Sequence, residues 1–163
     1  MPHLLLVDPT VPLLITRIEV RVQTGASDTA GTDGWVYLGI GGREFQLDTP
    51  ADDFRRPDPP TNVDTFILGD GANVNNAGDN DPRSPQLRVA DLDRYSAYLS
   101  FEPADDNDNW EIDWVNVTLT AAGGGVTRFY DYHSPVVTDG SGPKRTLWLG
   151  TYAGTQLSLA SVY

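Results

Sequence analysis

Residues 30–54 read AGTDGWVYLGIGGREFQLDTPADDF. Val36, Leu38 and Ile40 alternate there with Trp35, Tyr37 and Gly39. A period of two marks a strand with one face in a core and the other towards solvent. The glycines that follow read as a turn. Beyond them, Phe45 and Leu47 at one end and Phe54 at the other are expected in the core. Asp48, Asp52 and Asp53 crowd into the loop between them. Like charges tethered so closely repel, so either water solvates the loop or a cation sits among them.

The same alternation extends in both directions. Ile18, Val20 and Val22 alternate with Glu19, Arg21 and Gln23, and similar short runs cover 65–68, 86–89, 97–101, 116–119, 126–132, 146–149 and 156–162. Clusters of Gly, Pro, Asp and Asn separate them, as turns require. With 16 Gly and 12 Pro spread through the chain and little helical periodicity, the fold is expected to be an all-β sandwich or barrel. Near Asp113 the phase changes. Trp110, Ile112 and Trp114 share one parity, and Val115, Val117 and Leu119 the other. One extra residue, a β-bulge, would bring Ile112 and Val115 to the same face. The stretch 69–85, GDGANVNNAGDNDPRSP, has no apolar period and reads as a mobile surface insertion. Its Asp79, Asn80 and Asp81 suggest a second, weaker cation site.

The chain has 163 residues, the size of one domain, and 39% are hydrophobic, enough for a sizeable core. Eleven basic against 23 acidic residues give a net charge of −12. Such a surface repels nucleic acid and bare anionic lipid and favours cations or basic partners. No cysteine is present, which removes disulfides, thiolate zinc sites and cysteine nucleophiles and leaves the compartment open. The apolar start, MPHLLLVDPTVPLLI, lacks the basic region and clean cleavage site of a secretory signal, and no run is long enough for a membrane helix. Asn116-Val117-Thr118 spells a glycosylation sequon but falls in an expected strand.

Three oxygen-rich segments border expected strands: TAGTDG at 29–34, LDTPADD at 47–53 and ADDNDNW at 104–110. Loops at one end of a sandwich converge in space. Calcium takes six to eight oxygens from carboxylates and backbone carbonyls, so these loops are candidates for such a site. An EF-hand is excluded. Counting from Asp105, the sixth position is Trp110 where glycine is required, and the twelfth is Asn116 where a bidentate Glu is required.

AGTDGWVYLGI, a short turn, then FQLDTPADDF, and later Trp110 opening WEIDWVNVTL, resemble the calcium-binding half of the PLAT (lipoxygenase-homology) domain. The resemblance covers roughly 15–119, with 69–85 as an insertion and 120–163 as a C-terminal extension that adds strands or covers an edge. It implies a sandwich of two roughly four-stranded antiparallel sheets and one or two Ca2+ ions. The implied ligands are the carbonyls of Gly31 and Thr32, then Asp48, the Ala51 carbonyl, Asp52 and Asp53, then Asp108 and the Asn109 carbonyl. Two departures stand out. The alpha-toxin-like pattern has Asp where this chain has Thr29, so Asp28 or Asp33 would have to compensate. Membrane-docking members also carry apolar tips beside the calcium loops, and the loop before Asp108 has none. Trp35 and Tyr37, on the outward parity, would replace such a tip or, as the favoured reading, pack under the extension.

Catalysis has little support. His3 falls in a terminal stretch and His133 reads as a strand end. There is no nucleophile elbow, no phosphate loop, and nothing places two carboxylates across a cleft. The sequence therefore reads as a non-enzymatic, calcium-binding module with membrane lipid or a protein as partner. The alternatives are an assembly protein in which calcium only stabilises the fold and the extension forms a subunit interface, and a carbohydrate-binding sandwich using the exposed aromatics.

Overall fold

The alternation around Val36 folds as read. The computed structural model describes residues 13–59, 63–133, 136–139, 142–145 and 147–162. In chain order its elements are β1 (Ile15–Thr24), β2 (Trp35–Ile40), β3 (Arg43–Gln46), β4 (Asp64–Gly69), α1 (Val89–Leu92), β5 (Ala97–Glu102), β6 (Trp110–Ala121), β7 (Val126–His133), β8 (Val136–Asp139), β9 (Gly142–Arg145), β10 (Trp148–Leu149) and β11 (Gln156–Val162). The apolar start and His3 lie outside the described residues. No described helix is long and apolar enough to cross a membrane.

The strands join in the order β3-β2-β5-β11-β7-β6-β1-β4, with β10 on β6, and every pairing is antiparallel. This is an all-β sandwich whose two layers connect through one strand. Gln156 to Leu159 of β11 pair with β5, while Ala160 to Val162 pair with β7. A strand that changes sheets closes a corner of the sandwich. Of the strands from 120–163, β7 and β11 therefore hold interior positions in the sheet order. The β8–β9 hairpin pairs on its own and had no counterpart among the runs read from sequence.

Inward parity fills one core: Ile18, Val20 and Val22 of β1, Val36, Leu38 and Ile40 of β2, Leu99 and Phe101 of β5, and Val115, Val117 and Leu119 of β6. The bulge is where the phase change placed it. Gln23 pairs with Trp114 and Thr24 with Ile112, leaving Asp113 as the extra residue and burying both Ile112 and Val115. Trp110 is fully buried between Phe54 and Phe101, and its indole N–H donates to Thr24 Oγ1 at 2.9 Å. His133 does end a strand.

Two readings of the segment between β4 and β5 differ from the structure. Residues 86–89 lead into the short helix α1 rather than forming a strand. Leu87 is buried as strand periodicity requires, but Arg88 makes only an isolated bridge with Leu14. A short apolar run cannot distinguish a strand from an extended lead into a helix. Residues 69–85 are stitched down rather than standing off as a mobile insertion. Asn80 is buried, accepts from the Gln46 N–H at 2.7 Å and donates to the Asn76 carbonyl at 3.1 Å. Arg43 donates to the carbonyls of Asp81 and Pro85. The weaker cation site expected at Asp79, Asn80 and Asp81 is thereby dismantled, because Asn80 faces inward and Asp81 grips Arg83 at 2.9 Å.

Candidate calcium-loop end

The three oxygen-rich loops meet at one end of the sandwich, and glycines mark the contacts. A Cβ on Gly31 would stand 3.0 Å from the Phe54 carbonyl oxygen and the Arg56 nitrogen, so the first loop lies directly on the second. A Cβ on Gly34 would stand 3.0 Å from Asp108 Oδ2 and closer still to Phe101, so the first loop also lies on the third. Only a residue without a side chain allows backbones to approach this closely.

Each loop is fixed from the core. Glu111, buried on β6, accepts from the Ser27 hydroxyl with both oxygens, at 3.0 and 2.9 Å, holding the entry to the first loop. Phe54 closes the second loop with φ of 59°, a left-handed conformation that costs a non-glycine residue about 1–3 kcal/mol. Its surroundings over-determine it. The ring stacks on Phe66 at 5.1 Å and meets the edge of Trp110 at 5.0 Å. Its N–H donates to Asp64 Oδ2 at 3.0 Å, and its carbonyl accepts from the Thr32 N–H at 3.0 Å. Phe45 and Leu47 are buried at the other end, so both anchors of the acidic loop lie in the core as the sequence implied. In the third loop, Asp108 Oδ2 accepts from the Thr32 hydroxyl at 2.7 Å and the Ala104 N–H at 2.8 Å.

Two clefts open between these loops. One, of about 170 Å³, is bordered by Thr32, Asp33, Trp35, Asp48, Ala51, Asp52 and Asp53. The other, of about 570 Å³, is bordered by Asp28, Gly31, Thr32, Asp33, Arg55, Arg56 and Asp108. Thr32 and Asp33 border both. Five of the eight residues implied as ligands thus share the first cleft. Asp108 and Gly31 join Thr32 in the second, and Asn109 borders a third cleft with Thr29, Asn107 and Trp148. Of the two residues considered as replacements for the carboxylate missing at Thr29, Asp33 borders both clefts, and Asp28 borders the larger one and lies 3.2 Å from Arg56.

The donor set consists of hard oxygen, which suits calcium. In this conformation, among the described residues, no three carboxylates or histidines stand within reach of one ion. The carboxylates have protein partners instead. Asp48 accepts from Asn75 at 2.8 Å, Asp53 from the Thr49 N–H and hydroxyl at 2.6 and 2.7 Å, and Asp52 lies 3.4 Å from Arg55. Burial raises the Asp53 carboxyl above its ordinary range; the Thr49 bonds oppose this, and the charges of Asp48 and Asp52 add to it. Asp64, which the sequence reading passed over because a lone Asp at a strand start carries no signal, is pushed up to about 6 by burial, with Asp53 and Asp52 contributing and the Phe54 N–H opposing.

The aromatic positions require a correction. Trp35 does not pack under the C-terminal extension but stands 48% exposed at the rim of the first cleft. A second exposed ring comes from the extension itself. Tyr152, 85% exposed, sits on the turn at 150–154, and a Cβ on Gly150 would stand 3.4 Å from the Asp108 carbonyl oxygen. The turn beside the third loop thus carries an exposed ring, which the third loop lacks.

Compared with protein-family models and with curated proteins, the chain matches none. Solved structures do match. The alpha toxin of Clostridium absonum aligns with a TM-score of 0.52 at 23% identity, covering 93% of this chain and 32% of the toxin. The alpha toxin of an avian strain of Clostridium perfringens aligns at 0.50 and 18%, covering 92% and 32%. The fold is that of a PLAT-type β-sandwich. At these identities the likeness is one of fold, and this chain spans about a third of the toxins' length. The PLAT-type match extends well past Leu119, so the fold takes in strands the motifs could not identify.

Proposed function

We propose that this chain is a non-enzymatic, calcium-binding module that docks on a phospholipid surface. The observation that carries this reading is the convergence of three acidic loops at one end, where Asp48 and Asp52 add to the burial that raises the proton affinity of Asp53, and Asp53 and Asp52 add to the burial that raises that of Asp64. The residues that would hold the ion are Asp48, Asp52, Asp53 and Asp108, with the carbonyls of Gly31, Thr32, Ala51 and Asn109. When bound, calcium supplies the positive charge that these carboxylates lack and that lipid phosphate requires. The chain's own residues do the rest. Phe54, Glu111 and Thr32 keep the loops in register, and Trp35 and Tyr152 offer amphipathic rings suited to a lipid–water boundary. The Asp52–Arg55 pair is exposed on both sides and weak, so it offers little resistance to an incoming ion.

Sedimentation with phosphatidylcholine–phosphatidylserine vesicles tests the reading. Pelleting in calcium, lost in chelator and in an Asp52→Ala, Asp108→Ala double variant, is the expected result. Calcium that raises the melting temperature without any pelleting would instead assign the ion a purely stabilising role.

A further inference from the structure

The outer face of the layer β3-β2-β5-β11 carries a line of aromatic rings that begins with Trp35 at the rim of the first loop cleft and runs away from it along the sheet. Trp35 and Tyr37 point outward from β2, opposite Glu102 and Ser100 of β5. The next outward position on β2 is Gly39, paired with Tyr98. A side chain at Gly39 would collide with the Tyr98 ring, so that ring lies over β2 and fills the missing place in the line. A Cβ on Gly42 would stand 2.9 Å from the Tyr95 ring, so Tyr95 extends the line beyond the hairpin turn. Tyr95 and Tyr98 wall a mainly apolar cleft of about 280 Å³ with Gly42, Arg43 and Glu44. Outward residues two apart on a strand are spaced by about 6.8 Å, so Trp35 to Gly39 spans roughly 14 Å.

Polar groups flank the rings. Glu44 accepts from the Tyr98 hydroxyl at 2.7 Å. Gln46 and Ser100 lie either side of Tyr37, and Gln156 and Ser158 continue the rows on β11. Burial first, then the carboxylates of Glu102 and Glu44, raise the Tyr37 hydroxyl above its ordinary range, which places both acids on its face. Arg43 is the only basic residue on these four strands, and it is turned onto the Phe45 ring and the carbonyls of Asp81 and Pro85.

We propose that this face is a binding platform for a neutral polysaccharide. A pyranose presents a flat C–H face that stacks on an aromatic ring, and equatorial hydroxyls that reach sideways to carboxylates and amides. A line of rings flanked by acceptors fits a ligand that repeats those features. Bare anionic ligands meet Glu44, Glu102 and a net charge of −12, and a second copy of the chain would bring the same acids against them. This reading does not depend on the calcium loops.

The test is calorimetric titration of the full chain, in chelator and in calcium, with the hexasaccharides of β-1,4-glucan, β-1,4-xylan, β-1,4-mannan and α-1,4-glucan. At least one is expected to bind in chelator, more tightly than its disaccharide. Trp35→Ala and Tyr95→Ala, both at exposed positions, should each weaken it roughly tenfold, and Trp35→Phe should restore most of the loss. No heat from any of the four at millimolar concentration overturns the proposal. So does binding that neither alanine variant changes, or binding of choline chloride, a cation for an aromatic cage, in place of every sugar.

Discussion

Loops 47–54 and 69–85 are both rich in Asp and both contain Pro and Ala, and they lie side by side: Asn75 of the second holds Asp48 of the first. One carboxylate of each nonetheless moves in the opposite direction. Asp81 is held below its ordinary range, chiefly by the Arg83 guanidinium, while Asp53 is driven upward by burial, with the charges of Asp48 and Asp52 adding to it. At Asp81 the guanidinium outweighs burial. At Asp53 burial and the neighbouring carboxylates outweigh the two Thr49 donors. Composition cannot separate a structural turn from an ion seat; what separates them is whether each carboxylate has a cation or sufficient donors of its own.

The comparison can be broken most severely at the anchor of the acidic loop. Phe54→Ala removes a buried ring between Phe66 and Trp110 and should cost about 3–5 kcal/mol in a denaturant melt. It should also abolish any calcium-induced shift, since without the ring nothing holds residue 54 in the left-handed conformation that aims its backbone at Thr32 and Asp64. Calcium itself, at about 100 times its dissociation constant, should add roughly 2.7 kcal/mol, several degrees in a thermal melt. Asp52→Ala with Asp108→Ala should erase that gain, whereas Asp79→Asn with Asp81→Asn should leave it intact. A wild type with no shift would mean that the two loops do not differ as argued.

Asn80→Ala addresses the other side. It leaves the Gln46 N–H without its acceptor and should cost about 1–3 kcal/mol, with the calcium shift unchanged. The smallest effect concerns pH. Asp64 binds its proton more tightly folded than unfolded, so its contribution to stability is fully present below the unfolded value near pH 4 and lost as pH rises through about 6. In chelator, Asp64→Asn should therefore be the more stable protein at pH 7.5, with the two melting temperatures converging towards pH 4. Because Asp64 is partly exposed, water screens the difference, and it should amount to a few degrees at most.

Sequence by itself determined the all-β class, the strands at Ile18, Val36 and Val117, the bulge at Asp113 and the burial of Phe45, Leu47 and Phe54. These follow from side-chain period and the cost of burying polar groups, which are local and repeat along the chain. It also identified the three oxygen-rich segments and the outward rings of Trp35 and Tyr37. Only the tertiary structure decided which groups those segments meet. The switch of β11 between layers, the seating of Asn80 beneath Gln46, the arrival of Asp64 behind Asp53, Tyr152 beside the third loop and the Tyr98 ring over Gly39 all join residues far apart in the chain. No local pattern records such meetings, because each depends on how strands order themselves around a shared core.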